Sequence, residues 1–182
     1  MIRLKAITSD DKLYKWAIAL LAESFPECER RDSKLQLKVM EHPHYKLEAI
    51  TDDNVPVGVV GYFDTPDFIY FENFCILSDK RNGGYGSAAL RLLTENLQKP
   101  FILEAEIPQD DITRRRIEFY KRNGMAVNTF SHIQPHYRKN DEDLPLLILT
   151  YGKPITQAQY DGFRKYLDCN VDVGGSWYAQ NV

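Results

Sequence analysis

Seven consecutive residues, Arg81-Asn82-Gly83-Gly84-Tyr85-Gly86-Ser87, carry the most specific chemistry in this chain. Before them, residues 68–77 (FIYFENFCIL) are aromatic and β-branched without helical spacing, which predicts a strand. After them, Ala88, Ala89, Leu92, Leu93 and Leu97 recur at helical spacing, with Arg91, Glu95 and Asn96 mostly off that stripe. A strand, a glycine-rich elbow and a helix start make a phosphate site. Glycine lets the backbone come close to a ligand and adopt positive φ. The first amides of a helix lack internal partners and lie at the positive end of its dipole. Together they cradle phosphate oxygens. A tight connecting turn is the plain alternative for a Gly-Gly pair. A P-loop needs Gly-Lys-Ser/Thr, and Gly86-Ser87-Ala88 lacks the Lys. A dinucleotide fingerprint needs a third glycine where Ala89 stands, although Glu104 and Glu106 lie near the distance of its acidic residue.

The order Arg81-x-x-Gly84-x-Gly86 resembles the acetyl-CoA pyrophosphate motif, R/Q-x-x-G-x-G/A, of the GCN5-related N-acetyltransferase (GNAT) family. A second stretch, Ile117-Glu118-Phe119-Tyr120-Lys121-Arg122-Asn123-Gly124-Met125, is similar to that family's FYxxxGF segment, with Met125 where Phe is usual. The resemblance covers residues 2–151 and is strongest over 68–125. It implies an α/β fold in which helices flank a mixed, mostly antiparallel central sheet. Two central strands splay at their C-terminal ends, and acetyl-CoA, a co-substrate, sits in the opening.

Forming an amide from a thioester needs an amine that loses a proton, donors for the oxyanion and an acid for the departing thiolate. By the resemblance Tyr120 is the acid, because the family places this Tyr with its hydroxyl near the CoA sulfur. The base is assigned to Glu72, on a strand face shared with Tyr70 and Phe74, where a carboxylate has little reason to be for packing alone. A desolvated carboxylate has a raised pKa and is a better base near neutrality. A cross-strand Glu is the plain alternative, and Glu104, Glu106 or ordered water are alternates for the role. Backbone groups of Phe74, Cys75, Ile76 and Leu77 are expected along the pantetheine arm. Amides of Asn82, Gly83, Gly84, Tyr85, Gly86 and Ser87, led by Arg81, are expected at the pyrophosphate. Many relatives carry an Asn seven residues before the Tyr. Here that position is Thr113, and the run Arg114–Arg116, Arg115 among it, is expected to reach CoA phosphates instead. The connector holding Glu27 and Glu29 is placed by the resemblance beside the acceptor, where these carboxylates would draw a cationic amine. His132, His136 and Tyr137 are acceptor-side candidates, none assigned as catalytic. The implied reaction is acetyl transfer to a primary amine of a small molecule or peptide, by direct attack in a ternary complex. A non-catalytic acyl-CoA-binding or regulatory module, and transfer of a longer acyl chain, are the competing readings.

These groups need a scaffold, and 182 residues suffice for one domain with a substantial core. A hydrophobic content of 43% and a charged content of 27% are ordinary for a soluble globule. A net charge of −3 gives no reason to expect nucleic acid. Cys28, Cys75 and Cys169 are odd in number and widely spaced, so neither a disulfide framework nor a zinc site is expected. No metal is called for, and reduced thiols suit the cytoplasm. Arg3 and Lys5 lie inside an alternating pattern rather than before an apolar run, so no signal peptide is expected, and no apolar run reaches membrane-spanning length.

The predicted order is βαα-βββ-αβαββ-α. Strand Ile2–Ile7 precedes a helix to about Ser24, capped from Thr8, Ser9 or Asp10, and a helix over Asp32–Glu41 that offers Leu35, Leu37, Val39 and Met40 for burial. Strands over 45–51, 57–63 and 68–77 form an antiparallel meander through turns at Asp52-Asp53-Asn54 and Asp64–Asp67. After the glycine elbow and its helix come a strand at 101–107, a helix at 112–122 ended by Gly124, and strands at 125–132 and 144–151 around a polar loop. Thr156 caps a last helix to about Leu167, with an irregular tail from Asp168. The reading is a single acetyltransferase domain over 1–182, with its core in 2–151. Its C-terminal helix and tail, 152–182, could pack on a second copy, as a homodimer.

Overall fold

A two-residue turn sets the register of the first part of the chain. Asp53 and Asn54 both adopt positive φ, 46° and 68°, as a type I′ hairpin turn requires, so Asp52 faces Val55. The computed structural model describes residues 1–95 and 97–181, in two compact units, Met1–Lys99 and Pro100–Val182. Asn96, read above as off the apolar stripe, lies outside the described residues.

In the first unit, β1 (Ile2–Ala6), β2 (Tyr45–Asp52), β3 (Val55–Asp64) and β4 (Ile69–Ile76) pair antiparallel in that order. Helix α1 (Lys12–Ser24) packs on β3 and β4 and buries Ala17, Leu20 and Leu21. Its cap is Asp11, which accepts the Leu13 amide at 2.8 Å, one residue beyond the expected candidates. Helix α2 (Ser33–Val39), capped by Asp32, buries Val39, but Leu37 is exposed because two residues carry it about 200° around the axis. The same geometry corrects α3 (Tyr85–Thr94). Its buried stripe is Ala89, Leu90 and Thr94, and Leu92 faces out.

The β3–β4 ladder slips at one place. Gly61 pairs with Asn73 and Tyr62 with Phe71, so Glu72 is an extra residue in β4, a β-bulge. The rings of Phe71 and Phe74, three residues apart, consequently meet at 6.3 Å, whereas plain alternation would put them on opposite faces. Phe71 stacks on Tyr62, and Tyr70 on Phe63. The expected row of Tyr70, Glu72 and Phe74 is therefore broken. Glu72 stays on the face of Tyr70, and Phe74 crosses to the other.

In the second unit, β5 (Phe101–Glu106), β6 (Met125–Val127) and β7 (Leu146–Tyr151) pair antiparallel in the order β5-β7-β6. Helix α4 (Asp111–Arg122) opens with a capping box. Asp110 Oδ1 accepts the Thr113 amide at 2.7 Å, and Thr113 Oγ1 accepts the Asp110 amide at 3.1 Å. It ends at Gly124, φ 86°, as expected. The strand expected over 125–132 stops at Val127. Buried Asn128 takes over, donating to Thr150 Oγ1 at 2.9 Å and accepting the Ile155 amide at 3.0 Å, and an isolated Ile133–Pro145 bridge forms just before β7. Thr156 caps α5 (Gln157–Asn170), which runs past Leu167 and is followed by α6 (Ser176–Asn181). The tail is thus helical, not irregular. Val171 and Tyr178 are buried, and Gly175 permits the close return, since a Cβ there would meet the Asp168 carbonyl at 2.4 Å. Among the described residues, no helix is long and apolar enough to cross a membrane.

Candidate active site

Helix α3 starts differently from its neighbours. The helices α1, α2, α4 and α5 each begin with a side chain, Asp11, Asp32, Asp110 and Thr156, that accepts one of their first amides. The residue before α3 is Gly84, and no side chain caps it. Gly84 has φ 79° and Asn82 φ 64°, so the elbow turns through two left-handed residues. A Cβ on Gly84 would meet nothing within 4 Å, so the space over the loop is open. An acidic cap would repel an anion there; its replacement by glycine leaves the positive helix end for one, which is the fit a diphosphate needs. Arg81 lies at the base of the loop, its Nε donating to the Ile76 carbonyl at 3.2 Å. The Leu77 amide donates to the Val57 carbonyl at 2.9 Å. Two backbone groups expected along the pantetheine arm are thus engaged within the chain. Cys75 is buried, and burial pushes its thiol up to about 11.

Glu72 projects from the β4 bulge into a buried ion pair. Arg31, two residues past the turn that holds Glu27 and Glu29, donates to its Oε2 at 2.5 Å; the two side chains are 2% and 1% exposed. The guanidinium carbon lies 6.0 Å from the ring centres of Tyr45 and Phe63. A guanidinium does not deprotonate in a protein, so this partner fixes the carboxylate without exchanging protons with it. Sequence spacing gave no sign of Arg31, which lies 41 residues from Glu72.

In the second unit, Tyr120 is buried on α4, its ring edge-on to Phe119 at 5.3 Å. Thr113, at the position where many relatives carry Asn, is consumed by the capping box. Of the three arginines, Arg114 pairs with Asp111 and Arg116 with Glu106. Arg115 is exposed and, among the described residues, enters no ion pair. Also among the described residues, no group of three or more His, Cys, Asp or Glu side chains could hold a metal.

The sequence profile of the acetyltransferase (GNAT) family matches residues 11–125, a stretch that holds the uncapped elbow, the bulge and Tyr120. The chain belongs to the GNAT acetyltransferase family. A solved structure assigned to that family from Bacteroides thetaiotaomicron is 35% identical, covers 91% of this chain and 95% of its own, and superposes with a TM-score of 0.84. The mixed α/β fold expected from the sequence is therefore the fold observed. More distant matches share the fold. An aminoglycoside 6′-N-acetyltransferase solved with coenzyme A is 17% identical over 85% of this chain and 99% of its own, TM-score 0.58. The ribosomal-protein-S18-alanine N-acetyltransferase of Escherichia coli is 18% identical over 86% and 97%, TM-score 0.59. No curated protein matches the chain by sequence.

The acceptor-side candidates of this GNAT acetyltransferase have different surroundings. Glu27 is exposed in a 3-10 turn, 4.0 Å from Arg30, and Glu29 lies in the same turn. His136 meets Asp143 at 3.1 Å, and Tyr137 is buried. His132 is not a surface loop residue. Its Nε2 contacts Glu104 Oε1 of β5, and its Nδ1 lies 3.0 Å from the Tyr160 hydroxyl of α5. That hydroxyl also donates to the Ser131 carbonyl at 2.9 Å, and burial raises its pKa. Tyr160 was missed from sequence; at 28 residues from His132, nothing local points to it.

Proposed function

We propose that this GNAT acetyltransferase moves an acetyl group from acetyl-CoA to a primary amine, by direct attack of the amine in a ternary complex. The start of α3 carries the reading: it alone among α1–α5 lacks a side-chain cap, and it follows a left-handed glycine under open space. Amides of residues 82–87, with Arg81 at the base of the loop, hold the pyrophosphate. Arg115 supplies a further guanidinium to the CoA phosphates. Backbone of residues 74–77 runs along the pantetheine arm, through the groups not already bonded within the chain. Distant structural matches fit this co-substrate, one of them having been solved with coenzyme A.

The amine nitrogen attacks the thioester carbonyl, the C–N bond forms and the C–S bond breaks. An ammonium acceptor loses two protons in the course of this. One goes to the departing thiolate, given by Tyr120 and replaced on its hydroxyl. The other must go to a base. Glu72 was the expected base, but its buried pairing with Arg31 favours a role in bracing the bulge. The acceptor class is an amine on a small molecule or a peptide, for which the exposed Glu27 and Glu29 offer negative charge. The free thiols at Cys28, Cys75 and Cys169 fit a reducing, cytoplasmic setting. In this reading the whole chain works as one acetyltransferase domain.

The test is thiol release from acetyl-CoA over a panel of a polyamine, an aminoglycoside and peptides with free N-termini, with acetyl-CoA binding measured by calorimetry. Amine-dependent release with at least one class is expected. Tight binding with no release from any class would replace catalysis by a binding module, and preference for a longer acyl-CoA would change the donor.

A further inference from the structure

Two glutamates alternate along one row of β5, and they meet different fates. Glu106 is half-exposed and pairs with Arg116 at the surface. Glu104 is 8% exposed and faces His132, whose side chain is 0% exposed. A buried carboxylate must be compensated. Glu72 is compensated by a group that holds its proton permanently. Glu104 is compensated by an imidazole, the side chain whose ordinary chemistry is to take and release protons near neutrality.

We propose that His132 and Tyr160 are positioning residues for acetyl transfer, setting Glu104 as the group that takes the amine's proton. The proposal rests on the transfer reading above. Three separate segments converge on the pair: Glu104 from β5, His132 from the chain after β6, and Tyr160 from α5. Stacking fixes the ring positions. Tyr160 lies flat on Phe130, with 4.2 Å between centroids and 8° between planes, and His132 lies 6.1 Å from Phe163 at 24°. Arg164, one turn beyond Tyr160, donates to the Ile133 carbonyl at 2.5 Å and pairs with Asp168, and its positive charge also bears on Glu104 and Tyr160.

Hydrogen counting gives the cluster a property that the Arg31–Glu72 pair lacks. The Tyr160 hydroxyl has one proton and two acceptors in reach, the Ser131 carbonyl and His132 Nδ1. Turned to Nδ1, it leaves the ring neutral with Nε2–H donating to Glu104. Turned to Ser131, it accepts from Nδ1–H, and a further proton is shared between Nε2 and the carboxylate. The cluster can therefore hold one proton more or fewer with Glu104, His132 and Tyr160 each still hydrogen-bonded; the bond given up when the hydroxyl turns to Nδ1 is the one to the carbonyl of Ser131, an exposed residue. In the reaction the nitrogen's proton passes to the Glu104 carboxylate, and from there to solvent after the product leaves.

The experiment compares wild type, Glu104→Gln, His132→Leu, His132→Gln and Tyr160→Phe in the amine-dependent thiol-release assay, with acetyl-CoA affinity by calorimetry and folding by circular dichroism. Glu104→Gln should lower kcat by about 10²-fold or more, the size of a general base contribution, with acetyl-CoA affinity unchanged. His132→Leu should lower kcat by about 10-fold, with KM for both substrates held. His132→Gln, which restores a donor to the carboxylate, should recover most of that. Tyr160→Phe should lower kcat by about 3-fold; it keeps the ring stack and decides the matter if His132→Leu does not fold. An active wild type whose Glu104→Gln variant turns over normally would overturn the proposal alone. So would a kcat loss in Tyr160→Phe and His132→Leu that follows only their loss of thermal stability. A wild type that releases no thiol with any amine would bring down the transfer reading and this proposal with it.

Discussion

Glu72 in the first unit and Glu104 in the second are both buried strand carboxylates, and each contacts a nitrogen base. The difference lies in the base. Arg31 keeps its proton at any working pH, so Glu72 is pinned as half of a permanent ion pair. His132 offers an imidazole, a side-chain type able to take or give a proton, and the Tyr160 hydroxyl lies within reach of both its Nδ1 and the Ser131 carbonyl. Burial alone therefore does not mark a general base. The partner's chemistry decides whether a buried acid is a brace or a proton acceptor.

The largest effect should come from breaking the brace. Arg31→Leu removes the cation paired with a buried carboxylate and should cost about 3–5 kcal/mol in urea unfolding. Arg31→Leu with Glu72→Leu should recover most of that stability and retain turnover; a folded double variant without activity would return the base role to Glu72 and erase the contrast. Next, Tyr120→Phe should lower kcat by about 10²-fold, roughly 2.7 kcal/mol in the barrier, with acetyl-CoA affinity nearly intact. Equal turnover would remove the acid from the second unit. Smaller again, Gly84→Asp supplies α3 with the acidic start that its neighbours have, and should weaken acetyl-CoA binding about tenfold, roughly 1.4 kcal/mol, by calorimetry. Unchanged affinity would show that the uncapped helix end does not hold the anion.

The smallest effect concerns Cys75, another buried acid of the first unit. Its folded pKa, near 11, is raised by burial above the ordinary 9.0, so the protonated thiol favours the fold at neutral pH and that contribution fades as pH rises from 9 towards 11. At pH 8 a thiol reagent should modify exposed Cys28 and leave Cys75 untouched until the chain unfolds. Rapid labelling of native Cys75 at pH 8 would contradict its burial.

Local signals in the sequence were reliable where the physics is local. The β2–β3 turn is announced by Asp53-Asn54, which tolerate left-handed φ, and the end of α4 by Gly124. The alternating pattern of β1 and the glycines before α3 likewise act over a few residues. What stayed hidden depends on distant pairing. The bulge at Glu72 appears only once β3 is laid beside β4, which is why Phe74 was put on the wrong face. Arg31 and Tyr160 are set by contacts 41 and 28 residues away along the chain. The order of α6 comes from burial of Val171 and Tyr178, which no helical pattern of six residues could reveal.

The bulge has one more implication, for how sequences of different length are compared. Glu72 and Asn73 occupy one side of the strand in succession, so Glu72 is supernumerary to the ladder. A relative one residue shorter at that point would keep every other side chain of the strand on its present side. The same gap moved two or three residues along would turn part of the strand inside out, exchanging its interior and exterior groups.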